Sequence, residues 1–204
     1  MDGIATVTDP QLVRRAGQKQ ASERVAAFAR QFGEAHLTLA CHAAFPLALT
    51  PDLLCHIWSA FVPEAPWTAV ADVLLSSTCQ ETGHELYEMD IGARELLLRE
   101  LKAHERFGEK RIKELAEFVL EYADLQILSD EPDQRDLAEL QRWVALAYVR
   151  PDTASHELAE RLSEVATDLS ENNRDDLAKL IRLTSLVETL AEPLEEFAVL
   201  LIYA

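Results

Sequence analysis

The sequence predicts an all-α fold with one short β segment, and three observations support this. Apolar residues recur at three- and four-residue spacing through most of the 204 residues, which is the periodicity of amphipathic helices. Glycine is scarce, and β-branched runs are short. Only the segment 84–89, HELYEM, has a strand-like composition, with no room for a helical turn before the next apolar pattern begins.

The first predicted elements are separated by glycine and proline. A basic amphipathic helix, PQLVRRAGQKQASERVAAFARQFG, should end at Gly33. A short buried helix over 37–45 is stopped by Pro46, because proline does not continue a helix. The next helix, over 50–61, has Thr50 as its expected N-cap, followed by a proline at the first helical position.

A third helix is expected over 66–82, from a proline at its start to a glycine after its end. A β wing at 84–89 follows, and a strongly amphipathic helix then covers 91–106. The residues of this last helix that should face inward are Ile91, Leu97, Leu98 and Leu101.

The second half of the chain has the pattern of antiparallel helical hairpins. Helical stretches of about 20 residues follow one another with short connections. The expected N-caps of the later helices are Asp130 or Asp133, then Thr153, then Asn173. The apolar end, EPLEEFAVLLIYA, either packs onto these helices or belongs to a longer chain.

The chain is strongly acidic, with a net charge of −17. Such a surface repels nucleic acid and anionic membranes, and it suits binding to a basic or apolar protein surface. No apolar run approaches the ~20 residues of a membrane span. The first residues do not resemble a secretory signal, so we expect a cytoplasmic protein whose three cysteines are reduced.

Two Cys-His dipeptides, Cys41-His42 and Cys55-His56, are the residues most suggestive of metal or thiol chemistry. Neighbouring residues of a helix point about 100° apart, so neither dipeptide easily places both side chains on one metal. We expect both cysteines to pack as small apolar residues, with the two histidines toward the helix flanks. A zinc site shared by the two helices is the alternative, but the usual Cys-x-x-Cys spacing is missing. We therefore expect no catalytic residue, no metal and no cofactor.

The run HELYE departs from the HExxH signature of zinc proteases, because Glu88 stands where the second histidine would be. Four carboxylates fall close together here: Glu81, Glu85, Glu88 and Asp90. Such a cluster could attract a divalent cation. A solvated face, or a contact for a basic partner, is the interpretation we prefer.

The order of the elements from 36 to 108 is that of a winged-helix domain, which often reads DNA through its third helix. Between Gln31 and Ala93, however, there is no Lys and no Arg to hold phosphates. We therefore interpret the fold as one used for protein contacts. The predicted domains are an N-terminal amphipathic helix over 1–35, a winged-helix-like domain over 36–108 and a helical hairpin array over 109–204, the last two packing either separately or as one unit.

The wing and following helix, ELYEMDIGARELLLREL, resemble the winged-helix segment behind the NTPase core of STAND signalling ATPases. The stretches FGEAHLTLACHAAFPLALTPDLLCHIW, PWTAVADVLL and GHELYEMD, with RFGEKRI and QRWVALAYVRP, are similar to a helical region of multidomain cyanobacterial proteins and of other filamentous or multicellular bacteria. There it is joined to caspase-like peptidase, NTPase, formylglycine-generating-enzyme-like or repeat domains. The resemblance covers about Phe32 to Ala159, and it implies regulation or assembly in conflict or cell-death signalling.

We expect a non-catalytic adaptor that binds a peptidase or NTPase of the same system, since the chain has no Walker loop and no caspase-like QACRG run. A homo-oligomeric scaffold is equally compatible with the sequence. A DNA-binding regulator and, less favoured, a metal-dependent enzyme are the alternatives. Among the three tryptophans we expect core positions, with an interface role considered for the one at a helix start. The residues predicted to contact a partner are Trp67, Glu81, Glu85, Tyr87, Glu88 and Asp90.

Overall fold

The computed structural model describes residues 10–128, 132–168, 190 and 193–195. The chain divides into two compact units, Met1–Glu109 and Lys110–Ala204. The described residues form eight α-helices and one three-stranded antiparallel sheet. The predicted all-α fold with a short β wing is therefore confirmed.

The first unit has the element order of a winged helix, with one helix added at each end. Its sheet has the strand order β1-β3-β2, and a two-residue turn joins its two longer strands. The elements are α1 Pro10–Phe32, α2 Glu34–Ala43, β1 Ala48–Leu49, α3 Pro51–Phe61, α4 Ala69–Leu74, β2 Cys79–Gly83, β3 Leu86–Met89 and α5 Ile91–Ala103.

Local signals explain where several of these elements begin. Thr50 Oγ1 accepts a hydrogen bond from the Leu53 N–H at 3.1 Å, which confirms the predicted N-cap of α3. Gly33 separates α1 from α2 with φ 87° and ψ −177°, a region that is essentially open only to glycine. Asp90 Oδ1 accepts from the Ala93 N–H at 3.1 Å and caps α5.

The helix predicted over 66–82 is wrong in its second half, because α4 ends at Leu74 and residues from Cys79 form β2. Ser76 Oγ donates to the Val73 carbonyl at 2.8 Å and accepts from the Thr78 N–H at 3.2 Å. These local bonds replace the helical ones and turn the chain into the sheet. The predicted wing at 84–89 therefore contains only the turn and the second strand of the hairpin.

The core of the first unit lies where α2 packs against α1, α3, α4 and α5. One face of α1 is buried through Ala21, Val25 and Phe28, and it also packs on α5. The two helices approach so closely that a Cβ added at Gly92 would lie 2.9 Å from the Ala21 Cβ. The largest fully buried side chains of this unit are Leu39, Phe45, Leu49, Leu53, Leu54, Ile57, Leu97 and Leu101.

The inward face predicted for α5 is partly wrong. Leu97 and Leu101 are buried as expected, but Leu98 is half-buried and Ile91 is 77% exposed. The buried line runs through Ala93 at four-residue spacing, and Ile91 lies about 160° around the helix from Ala93. Ile91 therefore points away from the core.

The second unit is built from α6 Gly108–Gln126, which begins at the unit boundary, α7 Pro132–Val149 and α8 Pro151–Asp168. The last two pack against each other. Arg142 on α7 contacts both neighbours: its Nε lies 3.3 Å from Asp124 Oδ1 and its Nη1 lies 2.6 Å from Glu157 Oε2. These carboxylates, Glu157 first, raise the pKa of the Arg142 guanidinium.

The predicted caps of the second unit have different outcomes. Thr153 is not a cap, since α8 begins at Pro151 and Thr153 lies inside its first turn. Asp130, the side chain of Asp133 and Asn173 lie outside the described residues, as do most of the predicted helices after residue 168. Of the apolar end, Leu194 is described, and it is buried.

Candidate interaction surface

The third helix of the winged-helix unit is short and has one buried face. Helical hydrogen bonding begins before α4 itself, with the Ala69 N–H donating to the Pro66 carbonyl at 2.8 Å and the Asp72 N–H to the Thr68 carbonyl at 3.0 Å. The side chains that hold this helical segment against the core are Ala69, Val70, Val73 and Leu74. The other side of the segment faces solvent.

That solvent-facing side includes three exposed apolar residues. Trp67 is 72% exposed and Leu75 is 76% exposed, and Ala71 between them is exposed as well. Trp67 lies in the turn before α4, Ala71 lies within the helix and Leu75 is its C-cap, and we call these three exposed residues the α4 stripe. Asp72, next to Ala71 in the chain, has its Oδ2 3.1 Å from His36 Nε2 on α2. The exposed side of this segment therefore carries two large apolar side chains and no cation.

The other two tryptophans have structural positions. Trp58 on α3 is half-buried, and its Nε1–H donates to the Ala65 carbonyl at 2.8 Å. This bond fixes the loop that leads to α4. Trp143 is buried in the second unit. Among the three, only Trp67 is available for a surface contact.

The strand pairing separates the carboxylates of the wing. Glu88 on β3 lies opposite Ala48 on one side and Gln80 on the other, whereas Glu81 lies opposite Tyr87. Successive residues of a strand point to opposite faces of a sheet. Glu81 and Tyr87 therefore share one face, and Glu88 lies on the other.

The remaining two predicted contact residues lie at the ends of β3. Glu85 is in the two-residue turn with φ 54°, in the left-handed region that a residue with a side chain rarely adopts. Asp90 follows β3, caps α5 and lies 3.2 Å from Arg24 Nη2 on α1. The charge of Asp90 is thus already engaged within the unit. The four carboxylates that are close in sequence do not converge on one point.

The first Cys-His dipeptide belongs to the core. Burial, with a smaller contribution from Glu100, raises the pKa of the Cys41 thiol to about 12. The expectation that His42 lies on a flank is wrong, since its side chain is fully buried. Its Nδ1–H donates to the Thr38 carbonyl at 2.7 Å, and its ring lies 5.3 Å from that of Phe107. A buried, protonated thiol is a poor nucleophile and a poor metal ligand.

The second dipeptide lies on the surface of α3. Cys55 is exposed, so the expectation that it packs as an apolar residue is wrong. His56 is also exposed, and its Nδ1–H donates to the Asp52 carbonyl at 2.9 Å. Burial raises the pKa of the third thiol, Cys79, to about 11. Within the residues that the structure describes, no group of three or more His, Cys, Asp or Glu side chains could hold a metal ion.

A shallow groove with a volume of about 250 Å³ lies between α1 and the start of α5. Gly17, Gln20 and Arg24 line one side, and Ile91 and Glu95 line the other. Drug-sized ligand sites usually exceed about 300 Å³ and enclose most of the ligand, so this small, open groove is a weak candidate for a ligand site.

The stretch of sequence that carries the α4 stripe and the wing is acidic, although Arg24 on α1 contacts the Ser77 carbonyl and the Asp90 carboxylate. The stretch 31–93 contains no Lys or Arg and eight acidic residues: Glu34, Asp52, Glu64, Asp72, Glu81, Glu85, Glu88 and Asp90. Sequence reasoning identified Trp67 and the acidic residues but missed Leu75. The four-residue spacing Trp67, Ala71, Leu75 was the available signal, and the helix predicted to continue past it hid the end of the stripe.

No family model, no curated protein and no solved structure matches the chain. None of the helices within the described residues is both long and apolar enough to cross a bilayer.

Proposed function

We propose that this protein is a non-catalytic adaptor or regulatory module that binds another protein through the α4 stripe. The observation that carries the proposal is the exposure of Trp67 and Leu75, which flank α4, the third helix in the winged-helix order and the one that winged-helix proteins use for recognition. Tryptophan is among the residues that contribute most to protein interfaces when it becomes buried on binding. Exposed apolar side chains that lie together on a small domain mark a binding surface more often than exposed polar side chains do.

A DNA-binding regulator is the second candidate, and the winged-helix order of the elements favours it. The surface chemistry argues against it, because affinity for DNA depends mainly on cations that contact phosphates. Neither α4 nor the wing carries any, and both carry carboxylates. A mobility-shift experiment on duplex DNA at low salt separates the two candidates: retardation that weakens steeply with added salt would favour the DNA-binding function.

The biological setting that we propose follows from the resemblance to helical regions of bacterial signalling proteins. In that setting the adaptor acts in the cytoplasm within a signalling, defence or cell-death assembly. Its partner there is a caspase-like peptidase or a STAND NTPase. A homo-oligomeric scaffold remains the competing form of the same non-catalytic function.

The proposal is tested by capturing partners of the tagged full chain from its native lysate and identifying them by mass spectrometry. The chain is compared with the double variant Trp67→Ala/Leu75→Ala and with Ile91→Ala. The last is a matched control, because Ile91 is equally exposed but lies on α5, away from the stripe. We expect the double variant to retain at least about tenfold less partner, since central aromatic contacts are usually worth more than about 2 kcal/mol.

Two outcomes would contradict the proposal. Equal retention of the partner by all three proteins would exclude the α4 stripe as the binding surface. Recovery of the chain alone, with loss of self-association in the double variant, would replace the adaptor by a scaffold.

A further inference from the structure

The outer edge of β2 is open for pairing in the part of the chain that the structure describes. The strand order β1-β3-β2 places β2 at the end of the sheet, hydrogen-bonded to β3 on one side only. Its three central residues, Gln80, Glu81 and Thr82, are exposed. The backbone N–H and C=O groups of such an edge are a template for a strand from another molecule.

The pairing register shows which backbone groups point outward. The Asp90 N–H donates to the Thr78 carbonyl at 2.8 Å, so these two residues are a hydrogen-bonded pair of the antiparallel ladder. Hydrogen-bonded and non-hydrogen-bonded pairs alternate along such a ladder. Gln80 is therefore bonded to Glu88, and the N–H and C=O of Glu81 point away from β3.

The same alternation makes Glu81 the centre of the free edge. The N–H of Cys79, the other outward residue, donates to the Ser76 carbonyl at 3.2 Å. The register shift between Glu81 and Gly83 makes the edge irregular beyond Glu81. Within Cys79–Gly83 there is no lysine and no proline, the residues that most often protect an edge strand.

Charge determines which strand this edge would accept. The only charged side chain of β2 is Glu81, and no Lys or Arg lies between Gln31 and Ala93. A second copy of the same edge would bring two Glu81 side chains together, and like charges across a strand pair are unfavourable. A strand with Lys or Arg side chains would gain an opposite-charge pair instead.

We propose that β2 binds an extended, Lys- or Arg-containing segment of a partner protein as an added strand centred on Glu81. This inference rests on the proposed function, since it names the chemistry of a partner that the adaptor would bind. It uses a surface other than the α4 stripe. The partner's backbone would bond to the outward groups of Glu81, and its cationic side chains would face the wing.

The test uses an acetylated, amidated peptide of about eight alternating Lys and Val residues, the length of an ordinary strand, added to the full chain. Backbone amide exchange is followed residue by residue. We expect the Glu81 amide to exchange at least about tenfold more slowly when the peptide is saturating, because it becomes a ladder donor. A peptide of the same length with Glu in place of Lys should give no protection.

Three variants distinguish the contribution of the backbone hydrogen bonds to peptide binding from that of the Glu81 charge. Glu81→Pro removes only an outward N–H, which an edge strand tolerates, and should abolish binding of the peptide as measured by calorimetry, since no amide remains at position 81 to report exchange. Glu81→Gln keeps the N–H and should weaken binding about two- to fivefold, the usual worth of one cross-strand charge pair. If Glu81→Pro unfolds, as circular dichroism would reveal, Glu81→Lys takes its place and should bind the Glu peptide in preference to the Lys peptide.

Absence of protection at Glu81 under saturating Lys peptide would overturn the inference, and so would equal protection by the Glu peptide. Protection of Glu81 that grows with protein concentration and without peptide would assign the edge to a second copy of the chain, and would also overturn it. These outcomes leave the α4 stripe untouched. If the α4 stripe is not the binding surface, the Trp67→Ala/Leu75→Ala variant will capture as much partner as the unchanged protein does.

Discussion

Each of the two units is stabilised internally, and the interactions that stabilise them differ. In the first, apolar side chains fill the space between helices, and short polar side chains such as Thr50 and Asp90 satisfy the helix starts. In the second, α6, α7 and α8 are also joined through one cation, Arg142, between carboxylates of its neighbours. The difference explains how the first unit can omit Lys and Arg over 63 residues (31–93) without losing its fold. Its ion pairs, such as that of Arg24 with Asp90, are partly exposed, so they contribute little to its stability beside the buried apolar side chains.

The largest effect on stability should come from shortening a buried side chain in the core of the first unit. Leu54 is fully buried, and Leu54→Ala should lower the free energy of unfolding by about 2–5 kcal/mol through lost burial and the cavity left behind. Urea unfolding followed by circular dichroism measures this. Leu75→Ala, on the exposed stripe, is the control and should change stability by less than about 0.5 kcal/mol. A loss that depended strongly on salt would contradict the comparison between the units.

A smaller effect is expected at the junction of α1 and α2. Gly33→Ala places a side chain at φ 87° and should destabilise the protein by about 1–3 kcal/mol through backbone strain, although nothing crowds the site. Gly17→Ala is the matched control, since Gly17 lies inside α1 with open space around it. It should stabilise the protein by about 0.5–1 kcal/mol. Equal effects of the two changes on the thermal midpoint would exclude strain at Gly33.

The ionic link of the second unit should be worth less and should respond to salt. Arg142→Met keeps most of the side chain's bulk but removes its contacts with Asp124 and Glu157, and we expect a loss of about 1–2 kcal/mol. The loss should shrink in about 1 M NaCl, because salt screens partly exposed charges. Lys110→Met, which breaks only an exposed pair with Glu114, should cost less than about 0.5 kcal/mol. A salt-independent loss at Arg142 would indicate packing rather than charge.

The smallest effect at neutral pH concerns the thiols, all of which lie in the first unit. The pKa of Cys41 in the folded protein, about 12, lies above the ordinary value of 9.0, so burial favours the protonated thiol. Its contribution to stability is complete below about pH 9 and is lost as the pH rises towards 12. Cys41→Ala should therefore make the alkaline loss of stability shallower.

Reaction with a disulfide reagent at about pH 8 offers a simpler measurement on the same residues. Exposed Cys55 should react at least about tenfold faster than Cys41 or Cys79, whose thiolates are scarce and partly or fully covered. Cys55→Ser should remove the fast phase and leave the fold intact. A fast phase that persists in Cys55→Ser would show that one of the covered thiols is accessible.

Helix positions were predictable from the sequence where one strong local signal decided them. Thr50 followed by proline marked α3, and glycine marked the end of α1. The hairpin β2–β3 was only half found, because the sequence of β2, CQETG, has neither alternation nor β-branched residues beyond Thr82. The segment forms a strand because it pairs with β3 and because the hydrogen bonds of Ser76 end the preceding helix. The hydrophobic periodicity of the sequence reports neither interaction. For the same reason Leu75 was missed at the surface.

Burial of individual residues was less predictable than the elements that carry them. Cys41 and Cys55 occupy similar dipeptides, yet one is buried and the other exposed. The helical pattern places a residue on a face, but the packing of neighbouring helices decides whether that face is covered. Ile91 shows the same limit, since its apolar side chain starts an amphipathic helix and still points to solvent.

Asp90 has a consequence for how this protein can change over generations. It closes the sheet through its N–H to Thr78, caps α5 through one oxygen and contacts Arg24 through the other. The two roles of the side chain restrict its replacement: asparagine keeps the cap but loses the ionic contact, and glutamate is too long for the cap. The exposed wing residues before it make no comparable combination of contacts. A lineage that acquires a new partner can therefore change exposed residues between Gln80 and Glu88 while Asp90, at the end of the wing, stays the same.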